Sequence, residues 1–164
     1  MSTVLVEPQY HMELIDGREI QKPLPKNRHA FIQSYLVQWF GRELPKRFRS
    51  ASELNVLCGP DRLVPDVTVM ARNARYDDGD LADPAVLAVE ILSPGQTVAN
   101  LFDKAGRLVK AGTPVCWVIW PERRKSWEYS ASDLVEAKDF LTAPLPEANE
   151  PLAVPLAEMW AELD

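Results

Sequence analysis

The chain has 164 residues, 46% of them hydrophobic and 26% charged, with a formal net charge of −6. This is the composition of an ordinary folded globule, expected as one domain over 1–164 with room for a real core. The acidic balance argues against avid, non-specific nucleic-acid binding, and no apolar stretch approaches a membrane span.

Met1 to Glu7 lacks the basic flank and apolar core of a signal peptide. Cys58 and Cys116 have no CxxC spacing and no companion histidine, so they read as small core hydrophobes of a reducing compartment. A cytoplasmic location is the expectation. His11-Met12-Glu13-Leu14-Ile15 and Arg18-Glu19-Ile20-Gln21 flank Asp16-Gly17, a strong two-residue hairpin signal. That turn pairs Glu13 with Ile20 and Leu14 with Glu19, which points Glu13 and Glu19 to opposite faces. At most one of them can look into a site on the sheet.

Pro23 to Lys26 reads as a linker, with Asn27 as helix cap. Phe31, Ile32, Tyr35, Leu36, Trp39 and Phe40 then repeat at helical spacing up to Gly41. His29 lies on the same stripe and reads as a capping or core histidine. Lys46-Arg47-Phe48-Arg49 is the one dense basic cluster of the first half and reads as a solvated turn. Ser52 to Leu57 is an expected strand, after which Gly59-Pro60-Asp61 turns the chain.

Two short β-rich runs each carry an acid. In Val64-Pro65-Asp66-Val67-Thr68-Val69-Met70 the acid follows a proline, which suits the start of a strand. In Ala85-Val86-Leu87-Ala88-Val89-Glu90-Ile91-Leu92 it interrupts a run apolar on both faces, as expected of a central strand covered on both sides. A buried, unpartnered carboxylate costs several kcal/mol, so Glu90 must be neutralised, paired or holding a metal. If the strands are neighbours, Asp66 and Glu90 converge into a hard-cation site of the kind that suits Mg²⁺. Without a metal, such a pair is expected to repel and to be a weak point of the fold. Ala71 to Asp83, with Asp77-Asp78-Gly79-Asp80, reads as a solvated loop without calcium-loop spacing.

Ser93-Pro94-Gly95-Gln96 fits a capping box, although Gly95 favours a start nearer Thr97. Val98, Leu101, Phe102, Ala105, Leu108 and Val109 form one apolar stripe closed by Gly112. Lys104 lies at the margin of that stripe, where it can snorkel outward or reach an acidic pair. Arg107 and Lys110 face away. Val115 to Trp120 is a third buried strand, and Trp127-Glu128-Tyr129 pairs onto it. Leu134 to Phe140 reads as an edge strand and Leu156 to Leu163 as a terminal helix. No Ser-His-Asp set, Cys-His pair, P-loop or GxGxxG motif is present.

Glu13-Leu14-Ile15-Asp16-Gly17, His29, Val64-Pro65-Asp66-Val67, Val89-Glu90-Ile91-Leu92-Ser93-Pro94, Asp103-Lys104, Ala111-Gly112 and Trp117-Val118 form an ordered set. It resembles the PD-(D/E)xK nuclease superfamily, and more closely its bacterial branch of restriction-endonuclease-like proteins, the Uma-two family. The Leu152 to Trp160 segment also looks like that family's ending. The resemblance implies an α/β, restriction-endonuclease-like mixed sheet flanked by helices, with an N-terminal hairpin. It further implies Mg²⁺ or Mn²⁺ held by Asp66 and Glu90, Lys104 assisting the attacking water, and cleavage of phosphodiester bonds in DNA.

Two departures stand out. Leu92 occupies the position of the superfamily's motif lysine, for which the branch substitutes Lys104 from the next helix. Trp120 stands where the branch commonly has an acid before Pro121. A second reading is therefore a non-catalytic member of the fold, an oligomeric or DNA-binding interaction module. A homodimer is expected, as is common for nucleases that cut both strands.

Overall fold

The computed structural model describes residues 11–164. Met1 to Glu7, expected to lack a signal peptide, lies outside the described residues. The fold is a mixed α/β architecture whose centre is a six-stranded sheet. Its order is Leu134–Glu136, Lys125–Ser130, Val115–Trp120, Leu87–Ile91, Val67–Ala71 and Phe48–Ser52. All neighbours are antiparallel except Leu87–Ile91 and Val115–Trp120, which run parallel.

Among the described residues three α-helices pack with the sheets: α1 (Asn27–Glu43), α2 (Val98–Lys110) and α3 (Leu156–Ala161). A parallel pair cannot be joined by a tight turn, and α2 supplies the crossover. Side-chain alternation sends Leu87, Val89 and Ile91 to one face, against Ile32, Leu36 and Phe40 of α1. Ala88 and Leu92 go to the other face, against Leu101, Ala105 and Leu108 of α2. Every residue from Leu87 to Ile91 is buried, as the apolar run predicts. Glu90 shares parity with Ala88 and Leu92, so its side chain belongs to the α2 side.

A second sheet of short strands runs in the order Arg18–Gln21, Met12–Ile15, Asp61–Leu63, Val56–Cys58, Asp80–Leu81, Tyr76–Asp77. It carries the N-terminal hairpin, which turns at Asp16 and Gly17 with φ of 52° and 77°. The hairpin has the expected register, Glu13 opposite Ile20 and Leu14 opposite Glu19. Glu13 is buried and Glu19 exposed. Arg107 fastens this sheet to α2, donating to Asp16 at 2.9 and 3.0 Å, to Asp61 at 2.8 Å and to Asp103 at 2.9 Å. It is thus engaged by three carboxylates, where the helical stripe alone had it facing away.

Several local expectations are corrected. Ser52 to Leu57 is not one strand: the chain leaves the central sheet at Ser52 and enters the second at Val56. Lys26, not Asn27, is the cap residue of α1, and the helix passes Gly41 to end at Glu43. Helix α2 does begin where Gly95 favours it: Thr97 is its cap, and the Thr97 side chain accepts the Asn100 N–H. Ser93 and Gln96 still make half of the anticipated box, the Ser93 N–H donating to Gln96 Oε1 at 3.0 Å. The 71–83 segment forms two short strands that bury Leu81. The tail's edge strand stops at Glu136; Phe140–Ala143 pairs instead with Leu152–Pro155. Arg47 is tied down over the Phe48 ring at 4.9 Å and to the Pro146 carbonyl at 2.9 Å.

Gly112 closes α2 at φ +117°, and a Cβ there would stand 2.8 Å from Pro84 Cγ. Gly112→Ala should therefore cost about 2–3 kcal/mol and lower Tm by roughly 5–10 °C. Gly41→Ala, in a helix and with nothing near its new methyl, should be neutral or stabilise by up to about 1 kcal/mol. Thermal scans of both variants check the pair.

Candidate active site

The antiparallel pairing of Val67 with Val89, continued by one residue, sets Asp66 beside Glu90. The Asp66 N–H donates to the Val89 carbonyl at 3.0 Å and keeps that register at the strand's entrance. Proline at 65 suits this position because the ladder does not need its missing donor. The two residues are 2% and 1% exposed, so both carboxylates have left water.

Each is met by a lysine from a different element. Asp66 Oδ2 accepts the Ile91 N–H at 2.7 Å. Asp66 Oδ1 accepts from Lys22 Nζ at 2.9 Å and lies 3.1 Å from His29 Nε2. Lys22, one residue beyond the hairpin's second strand, also donates to Glu53 Oε2 at 3.0 Å and to the Val64 carbonyl at 2.6 Å. Gln33 of α1 holds Glu53 Oε1 at 3.0 Å and the Asp66 carbonyl at 2.8 Å. Lys104 crosses from α2 to Glu13 Oε1 at 2.6 Å and lies 3.6 Å from Glu90 Oε2. Glu13 Oε2 accepts the Val64 N–H at 2.9 Å. Glu90 Oε1 is buried and has no hydrogen-bond partner.

The electrostatics follow from these contacts. Burial opposes ionisation of Asp66, but the Lys22 charge, the His29 contact and the Ile91 amide outweigh it and hold the carboxyl well below its usual range. Glu90 has no such set. Burial raises it, Lys104 at longer range only partly offsets that, and the neighbouring Asp66 charge adds to it. Its carboxyl is pushed up to about 8. Burial works against the charge of Lys22, yet Asp66, Glu90 and Glu53 raise it above the ordinary lysine value. Lys104 is raised likewise, by Glu90 and Glu13 against burial. Both lysines stay ammonium ions.

The donor set fits a hard divalent ion in a specific way. Among the described residues no three His, Cys, Asp or Glu side chains converge as a protein-only cage. What is present is two adjacent carboxylates, one with a bare buried oxygen. That suits an ion of the Mg²⁺ type, which is bound by one or two carboxylates and keeps several waters.

Asp66, Glu90 and Lys104 are brought together as the spacing of their strands and helix predicts. Glu13 is the hairpin acid that looks inward. The expected repulsion is met in part: Lys22 and His29 compensate Asp66, while the Asp66 charge still raises the Glu90 carboxyl. Lys22 and Glu53 were missed, and His29 faces Asp66 rather than serving as a cap. A lysine directly before a Pro-x-Pro linker is an available hint, but no periodicity assigns it a face.

Residues 2–157 match the Uma2 family, described as "Putative restriction endonuclease". The fold matches a crystal structure of a protein from Anabaena variabilis described as "a putative nuclease belonging to DUF820". The identity to it is 28%, over 93% of this chain and 90% of that one, with a TM-score of 0.77. The comparison with curated proteins found no match.

The opposite shifts of the two acids predict a pH dependence. Glu90 titrates near 4.5 in the unfolded chain and near 8 in the fold, so across that window the native state holds more protons. Its contribution to stability therefore falls as pH rises. Asp66 contributes stability above its usual value of 3.8, lost only as pH falls through its depressed native value, so it is constant over the same window. In EDTA, urea unfolding should show the parent losing roughly 3 kcal/mol between about pH 5.5 and 8. Glu90→Gln should flatten that slope; an unchanged slope places the titration elsewhere.

Proposed function

The chain belongs to the Uma2 family, and from that premise we propose that it hydrolyses phosphodiester bonds in DNA at a divalent metal held by Asp66 and Glu90. The observation that carries this reading is the bare buried oxygen of Glu90 beside Asp66, with the Lys104 ammonium next to it. A structural ion pair has no need of an unsatisfied carboxylate oxygen, whose burial costs free energy at every folding event.

Hydrolysis joins a water oxygen to phosphorus, breaks one P–O ester bond and returns a proton to the leaving oxygen. A bound Mg²⁺ or Mn²⁺ supplies Lewis acidity toward the phosphate and lowers the pKa of coordinated water. The protein's own groups do the rest. The Ile91 amide and His29 hold the Asp66 carboxylate in one orientation. Glu90 presents its free oxygen from the next strand. Lys104, kept charged by Glu13 and Glu90, donates hydrogen bonds to the attacking water and stabilises negative charge building on the phosphoryl oxygens. A protonated lysine cannot accept the water's proton, so its role here is orientation and charge stabilisation. Glu13 holds Lys104 in place, since its other oxygen is anchored on the Val64 amide.

A second reading is favoured by Lys22: its contact with Asp66 already neutralises one carboxylate, as a metal-free interaction module would require. Cleavage separates the two. Purified protein with supercoiled plasmid should nick in Mg²⁺ or Mn²⁺, stop in EDTA and work poorly in Ca²⁺, whose looser geometry activates water less. Asp66→Asn and Glu90→Gln should each lose about 100-fold or more. Lys104→Ala should lose a similar factor while binding metal as well or better, because a nearby cation has been removed. Lys110→Ala, exposed on the same helix, should cut like the parent. Activity that persists in EDTA contradicts the metal mechanism.

A further inference from the structure

We propose that Lys22 is the resident cation of the metal-free site, and that a divalent ion binds by exchange, displacing its ammonium from Asp66. This rests on the metal reading above and adds how that site is kept and loaded. Lys22 Nζ has three protons and three oxygen partners: Asp66 Oδ1 at 2.9 Å, Glu53 Oε2 at 3.0 Å and the Val64 carbonyl at 2.6 Å. That is a cation cage filled by a side chain. His29 Nε2 also lies 3.1 Å from that oxygen, so Asp66 Oδ1 already has two nitrogen neighbours. An ion coordinated by Asp66 would meet the ammonium's charge at close range in a site shielded from water, where like charges repel most strongly.

Lys22 has somewhere to go. Together with Gln33 and Glu53 it also lines an open cleft of about 570 Å³, whose other polar walls include His11, Ser34 and Gln38. Turning outward, the ammonium keeps Glu53 as its counter-charge and regains water in place of Asp66 and the Val64 carbonyl. Lys104 is held differently: its ammonium lies 2.6 Å from Glu13 Oε1, and Glu13 is itself fixed by the Val64 amide. The two lysines thus divide the work. One leaves when the ion arrives, and the other stays beside it.

The test is calorimetric titration of MgCl₂ into metal-free parent, Lys22→Met and Glu90→Gln, combined with amine labelling of the parent. Methionine keeps the chain's length and removes the charge, so Lys22→Met should bind Mg²⁺ about ten-fold more tightly or better. Simple repulsion would produce the same gain without movement, so labelling decides the exchange. Acetylation of Lys22, read by mass spectrometry, should be slow in EDTA and several-fold faster in saturating Mg²⁺, with Lys110 unchanged as control.

Mg²⁺ binding that needs Glu90, with Lys22 labelling unaltered by the ion, overturns the exchange and leaves the metal site standing. Affinity in Lys22→Met no greater than in the parent overturns it as well. Absence of Mg²⁺ binding in both parent and Lys22→Met overturns exchange and metal site together. Should Lys22→Met fail to fold, the labelling of the parent decides alone.

Discussion

Two carboxylates on adjacent strands, inside a sheet covered on both faces, cannot both be charged unless cations are built in around them. An uncompensated buried charge costs several kcal/mol, on the order of the whole stability margin of an ordinary domain. Much of the local architecture answers to that constraint. The hairpin brings Glu13 and Lys22, α1 brings His29 and Gln33, the turn after Ser52 brings Glu53, and α2 brings Lys104. These elements are far apart in the chain and meet at the entrance of the Val67–Ala71 strand. Arg107, gripped by Asp16, Asp61 and Asp103, keeps the hairpin sheet against α2. The exposed Asp16 and Asp103 contacts add little energy singly, yet together they limit how far Glu13 can drift from Lys104.

The compensation is uneven, and the unevenness has chemical content. Asp66 is over-supplied: a lysine, a histidine and a backbone amide surround it. Glu90 is under-supplied, with one distant ammonium and one bare oxygen. Environments that drive two neighbouring acids in opposite directions are how proteins prepare groups for different tasks. Here the charged acid is held in one orientation, and the unsatisfied one faces the place where a further positive charge would be most welcome. A structural salt-bridge cluster gains nothing from that asymmetry.

How much of this the sequence discloses depends on periodicity. The period-two pattern of Leu87 to Ile91 placed Glu90 in a buried strand, and Asp-Gly set the hairpin register that turned Glu13 inward and Glu19 out. The 3.6-residue stripe brought Lys104 to the margin, from which it does reach the acids. Residues outside regular elements carry no such phase. Lys22 stands between a strand end and two prolines, and Glu53 sits at φ 56° in the turn that ends the Phe48–Ser52 strand. Only their tertiary partners give them meaning. The same limit explains the errors in element ends: Lys26 caps α1 without a side-chain hydrogen bond, and Gly41 tolerates continuation because packing of Leu36 and Phe40 outweighs its poor helix propensity. The helical stripe is silent on Arg107 for the same reason: Asp16 and Asp61, two of its partners, lie on another sheet.

The central claim is that the buried pair is a metal site rather than a self-sufficient salt-bridge cluster. Anomalous diffraction from crystals soaked in MnCl₂ tests it most directly. The account predicts a strong Mn²⁺ peak between the Asp66 and Glu90 carboxylates, with several coordinating waters and no third protein carboxylate. Crystals soaked at saturating Mn²⁺ that show no peak there, with Lys22 and Lys104 still bridging the acids, would contradict it.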